Sequence, residues 1–568
     1  MVEAVSKGVA SLFFLGFWVI WCRNFSPKCV NSYMSKNTEH LFKPYHPNQV
    51  LLLPPSLSEK IPSHHPVRVV SEIIDKLDLT PILARYPGGG SSSYHPRMML
   101  KILVYAYLRN IFSSRKIEMA VREHIHFMWL AGGNEPDHHS INRFRGNRME
   151  GVFKEVFSQV VLLLHEAGHL SLQQAYIDGT KLEANANRYT FVWAKSIQHY
   201  RQQMAEQLEE LWQYAQSVAK AELGDSQPCD LEKLDPQAVA QTIEKIDQAL
   251  KEKPEVDEKK KAQIKRVKKE WPENLRKYQR QEQILDGRNS YSKTDPDATF
   301  MRLKRDERLS QGQLRPGYNL QMSTHEQWIL HFSIHPNPTD TLTLKPHLEE
   351  FKQLYDRLPE AVIGDAGYGS EENYQLLEEK EIEAFVKHNY FHQENKPAFI
   401  QKHPFHPRQL YYDQPRDRYI CPMGQPMEKI GTLKRKTDNG FEQTLTQYQA
   451  KNCQGCPLRG VCHQGKGNRI IQVNHPLNQY RAQARERLES EEGIKHRKQR
   501  NVDVEAVFGI LKQNRGFHRL ALRGKEKVEI EVGLHALAHN LRKLTAKRIQ
   551  KQPSEPLLPL KKMEMEAA

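Results

Sequence analysis

Cysteine is scarce in this chain, with seven residues in 568. They are unevenly placed, so no framework of paired cysteines runs through the sequence. Long apolar stretches are scarcer still. Residues 10–22, ASLFFLGFWVIWC, form a 13-residue run behind Lys7, which has the length of a signal-peptide core but is short for a membrane span. No small-x-small cleavage site follows it. The aromatic share is low at 9%, yet it exceeds what a disordered chain carries, and 39% hydrophobic residues can fill a large core. Three or four folded domains are therefore expected. Acid is the minority charge, with 68 Asp and Glu against 83 Lys and Arg, a net charge of +15. Such an excess suits a polyanionic partner through its phosphates, without implying that a base sequence is read.

Three acids stand out against this background. In 501–520, NVDVEAVFGILKQNRGFHRL, Glu505 and Lys512 are seven residues apart, close to two helical turns, so both project from nearly one face. Val504, Val507, Phe508 and Leu511 keep helical spacing beside them. Alone, a Glu and a Lys on one helix usually make a solvated face. Asp178 ends LQQAYID before Gly179, and Asp365 ends AVIGD before AGYG. Both read as buried strands with a carboxylate at the exit, although turn formation or helix capping is the commoner role for one such acid. The strand, strand, helix order gives the three more weight together.

The motifs YIDGTKLEANAN around Asp178, VIGDAGYGSEENY around Asp365, and VEAVFGILKQNRGFHRLALRG followed by ALAHNLRKL resemble those of DDE transposases of bacterial insertion sequences, in the same order. With an N-terminal block, the resemblance extends from about Met34 to Arg548. It implies that Asp178, Asp365 and Glu505 are the catalytic, Mg²⁺-holding triad of an RNase H-like domain, a mixed α/β sheet flanked by helices. Lys512 matches the family's lysine near the DNA end, with Arg515 and Arg519 as further DNA contacts. Many relatives carry a tyrosine seven residues and an arginine four residues before the glutamate. This chain has Lys498 and Asn501 there, with Arg497 and Arg500 nearby.

Three carboxylates suit the chemistry that the resemblance implies. In-line displacement at phosphorus needs positioning and charge neutralisation, which two Mg²⁺ ions held by oxygen ligands supply. Water or a DNA 3′-hydroxyl attacks, so no Ser, Cys or His acts covalently. The partners implied are double-stranded DNA, at element ends and target, and a second copy of the chain in a synaptic homodimer. A cytoplasmic, nucleoid-associated protein without a membrane segment is implied as well. The apolar leader at 1–33 then reads as a misassigned start with Met34 opening the working protein; an anchor or a buried helix is the alternative. A stand-alone metal-dependent nuclease and a transposase-derived DNA-binding protein are the competing functions.

The remaining segments sort by pattern. Helices are expected at 67–77, 96–107, 115–130 and 140–148, with a Pro/Gly/Ser break at 87–93. Together they make an all-α N-terminal DNA-binding domain over 34–150. Pro136, Asp137 and Ser140 open a short helix carrying Arg143, Arg145 and Arg148, as a recognition helix would; a plain bundle with solvated arginines is the alternative. His95, His138 and His139 read as caps or packing. The catalytic domain is expected from 151–193, 286–400 and 485–548, with paired strands at 317–324 and 328–334, a helix at 345–358 and a strand at 383–387. Residues 194–285 are a coiled-coil-like insertion of two or three helices, whose basic run 259–269 is a solvated face more readily than a DNA contact. In the insertion 401–484, Cys421, Cys453, Cys456 and Cys462 form C-x31-C-x2-C-x5-C. Structural zinc is the favoured reading of these thiols; an iron–sulfur cluster and unligated thiols are the others. The cluster also resembles the cysteine-bearing branch of the family, insertion-sequence group eleven-eighty-two. Residues 549–568 read as a frayed tail.

Overall fold

The computed structural model describes residues 56–550 except 87–92, 224–227, 232, 252, 254–255, 304–312 and 438–439. The apolar run 10–22, Cys22, Cys29, Met34, most of the break at 87–93 and the tail from 551 lie outside the described residues. Ile549 and Gln550 do not begin a tail, because they close the helix Lys525–Gln550.

Side-chain alternation builds the central sheet. Strand β1 (Gln174–Glu183) sends Ala175 and Ile177 into one core and Tyr176 into another. Strands β2 (Phe191–Trp193) and β3 (Ser290–Ser292) pair as a small antiparallel ladder. They are followed by β4 (Thr299–Leu303), β5 (Gln313–His325), β6 (Trp328–His335), β7 (Ala361–Gly364) and β8 (Glu383–Val386). The six-stranded sheet has the order β4-β5-β1-β7-β8, with β6 also paired to β5. Strand β1 is antiparallel to β5 and parallel to β7, and β7 is parallel to β8. The β5–β6 hairpin turns over Glu326 and Gln327, both with positive φ (49° and 62°), the backbone twist that tight hairpins favour.

Helices cover both faces of this mixed α/β sheet. Helices Phe153–Glu166 and Lys525–Gln550 pack on the β5–β6 side, where Phe157 meets Phe332 edge-on at 5.2 Å. Leu344–Tyr355, Glu371–Glu379 and His475–Glu489 supply Leu348, Leu377 and Ala484 to the core beneath Ala175 and Ile177. The N-terminal helices join the same body. Pro96–Leu108 is buried almost all round, as its apolar run requires. The helix expected over 115–130 is broken at His124, whose extended backbone separates Ser114–Glu123 from Ile125–Ala131.

Two insertions complete the chain. Helices Ala194–Val218, Pro236–Leu250 and Glu258–Leu285 close around Leu208, Leu211, Ile243, Ile246, Val267 and Leu275. The result is a bundle of three long helices. Strands β9 (Tyr411–Asp413), β10 (Arg418–Ile420), β11 (Pro426–Lys436), β12 (Glu442–Ala450) and β13 (Ile470–Val473) form an antiparallel sheet in the order β13-β12-β11-β10-β9. Its core is thin, with Tyr419, Met427, Tyr448, Ile471 and Val473 at its centre. This sheet is absent from the sequence-based expectations.

Candidate active site

Asp178 lies within β1, which continues past it to Glu183 because β5 is long enough to pair with the whole strand. The acid is therefore mid-strand and not at a strand exit. Asp365 directly follows β7, where its Oδ1 accepts from Gly367 N at 2.8 Å. The β1–β7 register pairs Tyr176 with Ile363; two residues further along each chain, it brings Asp178 beside Asp365.

Glu505 arrives from a different element. The expected regular helix is instead a π turn (Asn501–Glu505), one α turn (Ala506–Gly509) and a second π turn (Ile510–Asn514). The tip of the β5–β6 hairpin holds the first π turn: Gln327 N donates to Asp503 Oδ1 at 2.8 Å and Gln327 Nε2 to Val502 O at 3.0 Å. A π turn closes over five residues, so Arg500, five before Glu505, folds back onto it. Asn501, which stands at the family's arginine position, makes no such contact.

The Arg500 guanidinium gathers all three acids. It lies 2.9 Å from Asp178 Oδ2, 3.0 Å from Glu505 Oε1 and 3.9 Å from Asp365 Oδ2. Arg500 is 5% exposed, whereas the side chains of Asp365 and Glu505 remain 42% and 52% exposed, so the centre opens on their side. Its helix, Glu491–Arg500, also carries His496, whose Nδ1 is 2.9 Å from the Tyr176 hydroxyl. Tyr176 and Asp178, two apart on the strand, thus match His496 and Arg500, four apart on the helix. Lys512 turns to β1 instead of joining Glu505: its Nζ donates to Thr180 Oγ1 and, at 3.4 Å, to Lys181 O.

Burial sets the charge balance. It pushes the Asp178 carboxyl up to about 6, with Arg500 pulling down and Asp365 and Asp340 adding to the rise. It also pushes the Lys512 ammonium down to about 8 against the pull of Asp178. Lys387 is lowered by burial and then by Arg500, while Asp365 opposes the shift. Asp178, Asp340, Asp365, Asn319 and Lys512 line a cavity of about 420 Å³. Asp340 is the functional candidate that sequence reading missed. Its PTDTL setting matches an ordinary cap, and only the fold brings it to the other acids.

The cationic candidates separate by burial. Arg143 is exposed, and Arg519 is nearly half exposed, 3.9 Å from Glu183 Oε1. Arg145 is 4% exposed and donates to Tyr107 Oη (3.2 Å), Phe112 O (2.8 Å) and Asn142 Oδ1 (3.1 Å). Arg515 is 7% exposed, with Asn110 Oδ1 at 3.5 Å. The last two are therefore buried, whereas Arg143 and Arg519 face solvent. His95 caps Pro96–Leu108 by accepting from Arg97 N, and His138 Nδ1 lies 2.7 Å from Glu118 Oε2.

The four clustered cysteines meet around a cavity of about 20 Å³ that His463 also lines. Cys421 Sγ accepts from Gln425 N (3.3 Å), Cys453 Sγ from Arg469 N (3.4 Å) and Cys462 Sγ from Arg469 Nη1 (2.9 Å). Among the described residues, no group of three or more His, Cys, Asp or Glu side chains is spaced as it stands to hold a metal ion.

Carboxylates from two neighbouring parallel strands and a π turn thus converge on one cation, Arg500, beside a cavity of about 420 Å³. Residues 420–545 match a family model described as Transposase DDE domain, and residues 55–147 match one described as Transposase domain (DUF772). No curated protein matches the chain. The two matches support a DDE-type transposase. The first matched segment contains Glu505, Lys512 and the four clustered cysteines, whereas Asp178 and Asp365 lie outside both segments. No helix of the described residues is long and apolar enough to cross a membrane.

Proposed function

We propose that this chain is a cytoplasmic DDE transposase of the cysteine-bearing branch, with an RNase H-like catalytic domain. It binds the ends of its element and catalyses divalent-metal-dependent strand cleavage and strand transfer. The sheet order β6-β5-β1-β7-β8, antiparallel to one side of β1 and parallel to the other, supports the fold reading. The observation that carries the function is the convergence of Asp178, Asp365 and Glu505 on one positive group, Arg500.

The residues fit magnesium. Their donors are all carboxylate oxygens, which suit a hard divalent cation, and the guanidinium among them shows that this place accepts positive charge. Asp178, Asp365 and Glu505 would hold two Mg²⁺ ions, which when bound activate the attacking oxygen and stabilise the leaving one. Lys512, tied to β1 beside Asp178, sets a point charge for a DNA phosphate. Asp178, pushed up only to about 6, is ionised at neutral pH. Arg143 and Arg519 are the exposed arginines placed for phosphate contacts, and synapsis of two ends calls for a homodimer. Cys421, Cys453, Cys456 and Cys462 would hold structural zinc: N–H groups aimed at three of their sulfurs are the outer-shell support that thiolate ligands need.

A strand-transfer assay with pre-cut ends from the DNA flanking the gene tests this reading. Joining of those ends to target DNA in Mg²⁺ is expected. Cutting without joining would instead identify a stand-alone nuclease.

A further inference from the structure

Asp340 lines the same cavity as Asp178 and Asp365 and is held there by a dedicated scaffold. Its Oδ1 accepts from Asn319 Nδ2 and Gln321 Nε2, both at 2.8 Å. These two carboxamides are 1% and 0% exposed, and the Tyr368 hydroxyl orients Gln321 by donating to its Oε1. Side-chain-to-backbone hydrogen bonds tie the Asp340 turn to the Asp365 turn. Thr341 Oγ1 donates to Gly367 O at 3.1 Å, while Asn373 Nδ2 reaches Thr341 O at 3.0 Å and Tyr368 O at 2.9 Å.

Two glycines make the close approach possible. A Cβ on Gly179 would stand 2.4 Å from Asp340 Oδ1; one on Gly367 would stand 3.3 Å from Asp340 Oδ2 and 3.0 Å from Asp365 Oδ1. The residue after Asp178 and the residue two after Asp365 are therefore kept bare where the Asp340 carboxylate sits. Arg500 pairs with Asp178 and Asp365, but among the described residues no cation pairs with Asp340, whose charge adds to theirs in one cavity. Among the described residues, no hydrogen-bond donor reaches Oδ2.

We infer that Asp340 is a fourth carboxylate of the catalytic centre, whose Oδ2 would help Asp178 and Asp365 to hold the divalent cation. The inference rests on the metal-dependent reading above. It assigns separate tasks to the two oxygens: Oδ1 belongs to the scaffold and Oδ2 to the cation.

Asp340→Asn separates those tasks, because the amide keeps an Oδ1 acceptor for Asn319 and Gln321 and replaces only the free oxygen. Mn²⁺ binding to the full-length chain without DNA, followed by calorimetry, is expected to weaken at least about tenfold, in the range seen when supporting groups around a metal are removed. The Mg²⁺ concentration for half-maximal cleavage should rise by a similar factor. Melting measured without metal should stay at or above the wild-type value, since a like-charge contact has been removed. Unchanged Mn²⁺ affinity beside a binding wild type would overturn the inference and leave the proposed function standing. Melting well below wild type, or failure to fold, would assign Asp340 to the scaffold alone and would equally overturn it. A wild type that binds no Mn²⁺ would overturn the metal-dependent function itself, and this inference with it.

Discussion

The two sheets of this protein each gather a set of potential metal-binding side chains, and they do so in opposite ways. The six-stranded sheet is covered by helices and holds its acids through long-range contacts: Asp178 on β1, Asp365 after β7 and Glu505 on a π turn meet only in the fold. The five-stranded sheet has a thin core and gathers its thiols around a cavity of about 20 Å³, three of the four within ten residues of sequence. Open carboxylates suit a cation that must meet substrate, whereas enclosed thiols suit one that only holds structure. A large scaffold can afford to leave its centre open; a thin one has to close it.

Removing the thiol centre should have the largest effect on stability. Cys456→Ser, or chelation of the wild type, is expected to abolish bound zinc and destabilise residues 401–484 by about 3 kcal/mol or more, because loss of a structural metal is among the large destabilising mechanisms. Zinc content and limited proteolysis report this directly. The wild type carrying no zinc, or the variant resisting protease as well as wild type, would erase the distinction between the sheets.

Acid should act on the carboxylate sheet and its long helix. Burial pushes His335 and His539 down to about 4, and His535 further below its usual value. In the unfolded chain these imidazoles bind protons near pH 6.5. As pH falls from there towards 4, the unfolded state holds more protons than the native one, and stability is lost. The slope is about 1.4 kcal/mol per pH unit for each histidine. Urea melts at pH 7.0, 6.0 and 5.0 would measure it. Stability that is flat over this range would mean that these rings are not kept neutral.

Burial likewise separates two arginines on one short segment. Arg145→Met should destabilise the N-terminal helices by about 1–3 kcal/mol, since the Phe112 carbonyl and Tyr107 hydroxyl lose their donor. Arg143→Ala should leave melting within about 0.5 kcal/mol and instead weaken binding to element ends and flatten its salt dependence by about one phosphate contact. A salt titration of both variants distinguishes the roles.

Sequence legibility follows the same division. Asp178 and Asp365 could be read because an apolar run ends in each acid, and the thiols because CxxC is a local pattern. The extension of β1 through Gly179, Thr180 and Lys181 could not be read, since only pairing with β5 makes those residues a strand. The π turns were hidden because 501–514 keeps ordinary helical spacing; the anchor that distorts it, Gln327, lies far away in sequence. β11 leaves Lys434, Arg435 and Lys436 exposed and so shows no clear alternation. Arg145 looked like a surface charge because nothing local reveals that its guanidinium satisfies the Phe112 carbonyl. Asp340 could not be distinguished from a cap until Asn319, Gln321 and two glycines were seen around it.

The central claim is that the acids gathered at Arg500 form a metal-dependent catalytic centre, and Asp365→Asn tests it most directly. Asp365 is one of the two partly exposed acids of the centre, so its amide should leave folding intact. Cleavage of DNA carrying the element end, measured in Mg²⁺ beside wild type, should fall more than about 100-fold, beyond the range for merely supporting groups, with melting unchanged. Wild-type cleavage by a folded Asp365→Asn chain would contradict the assignment.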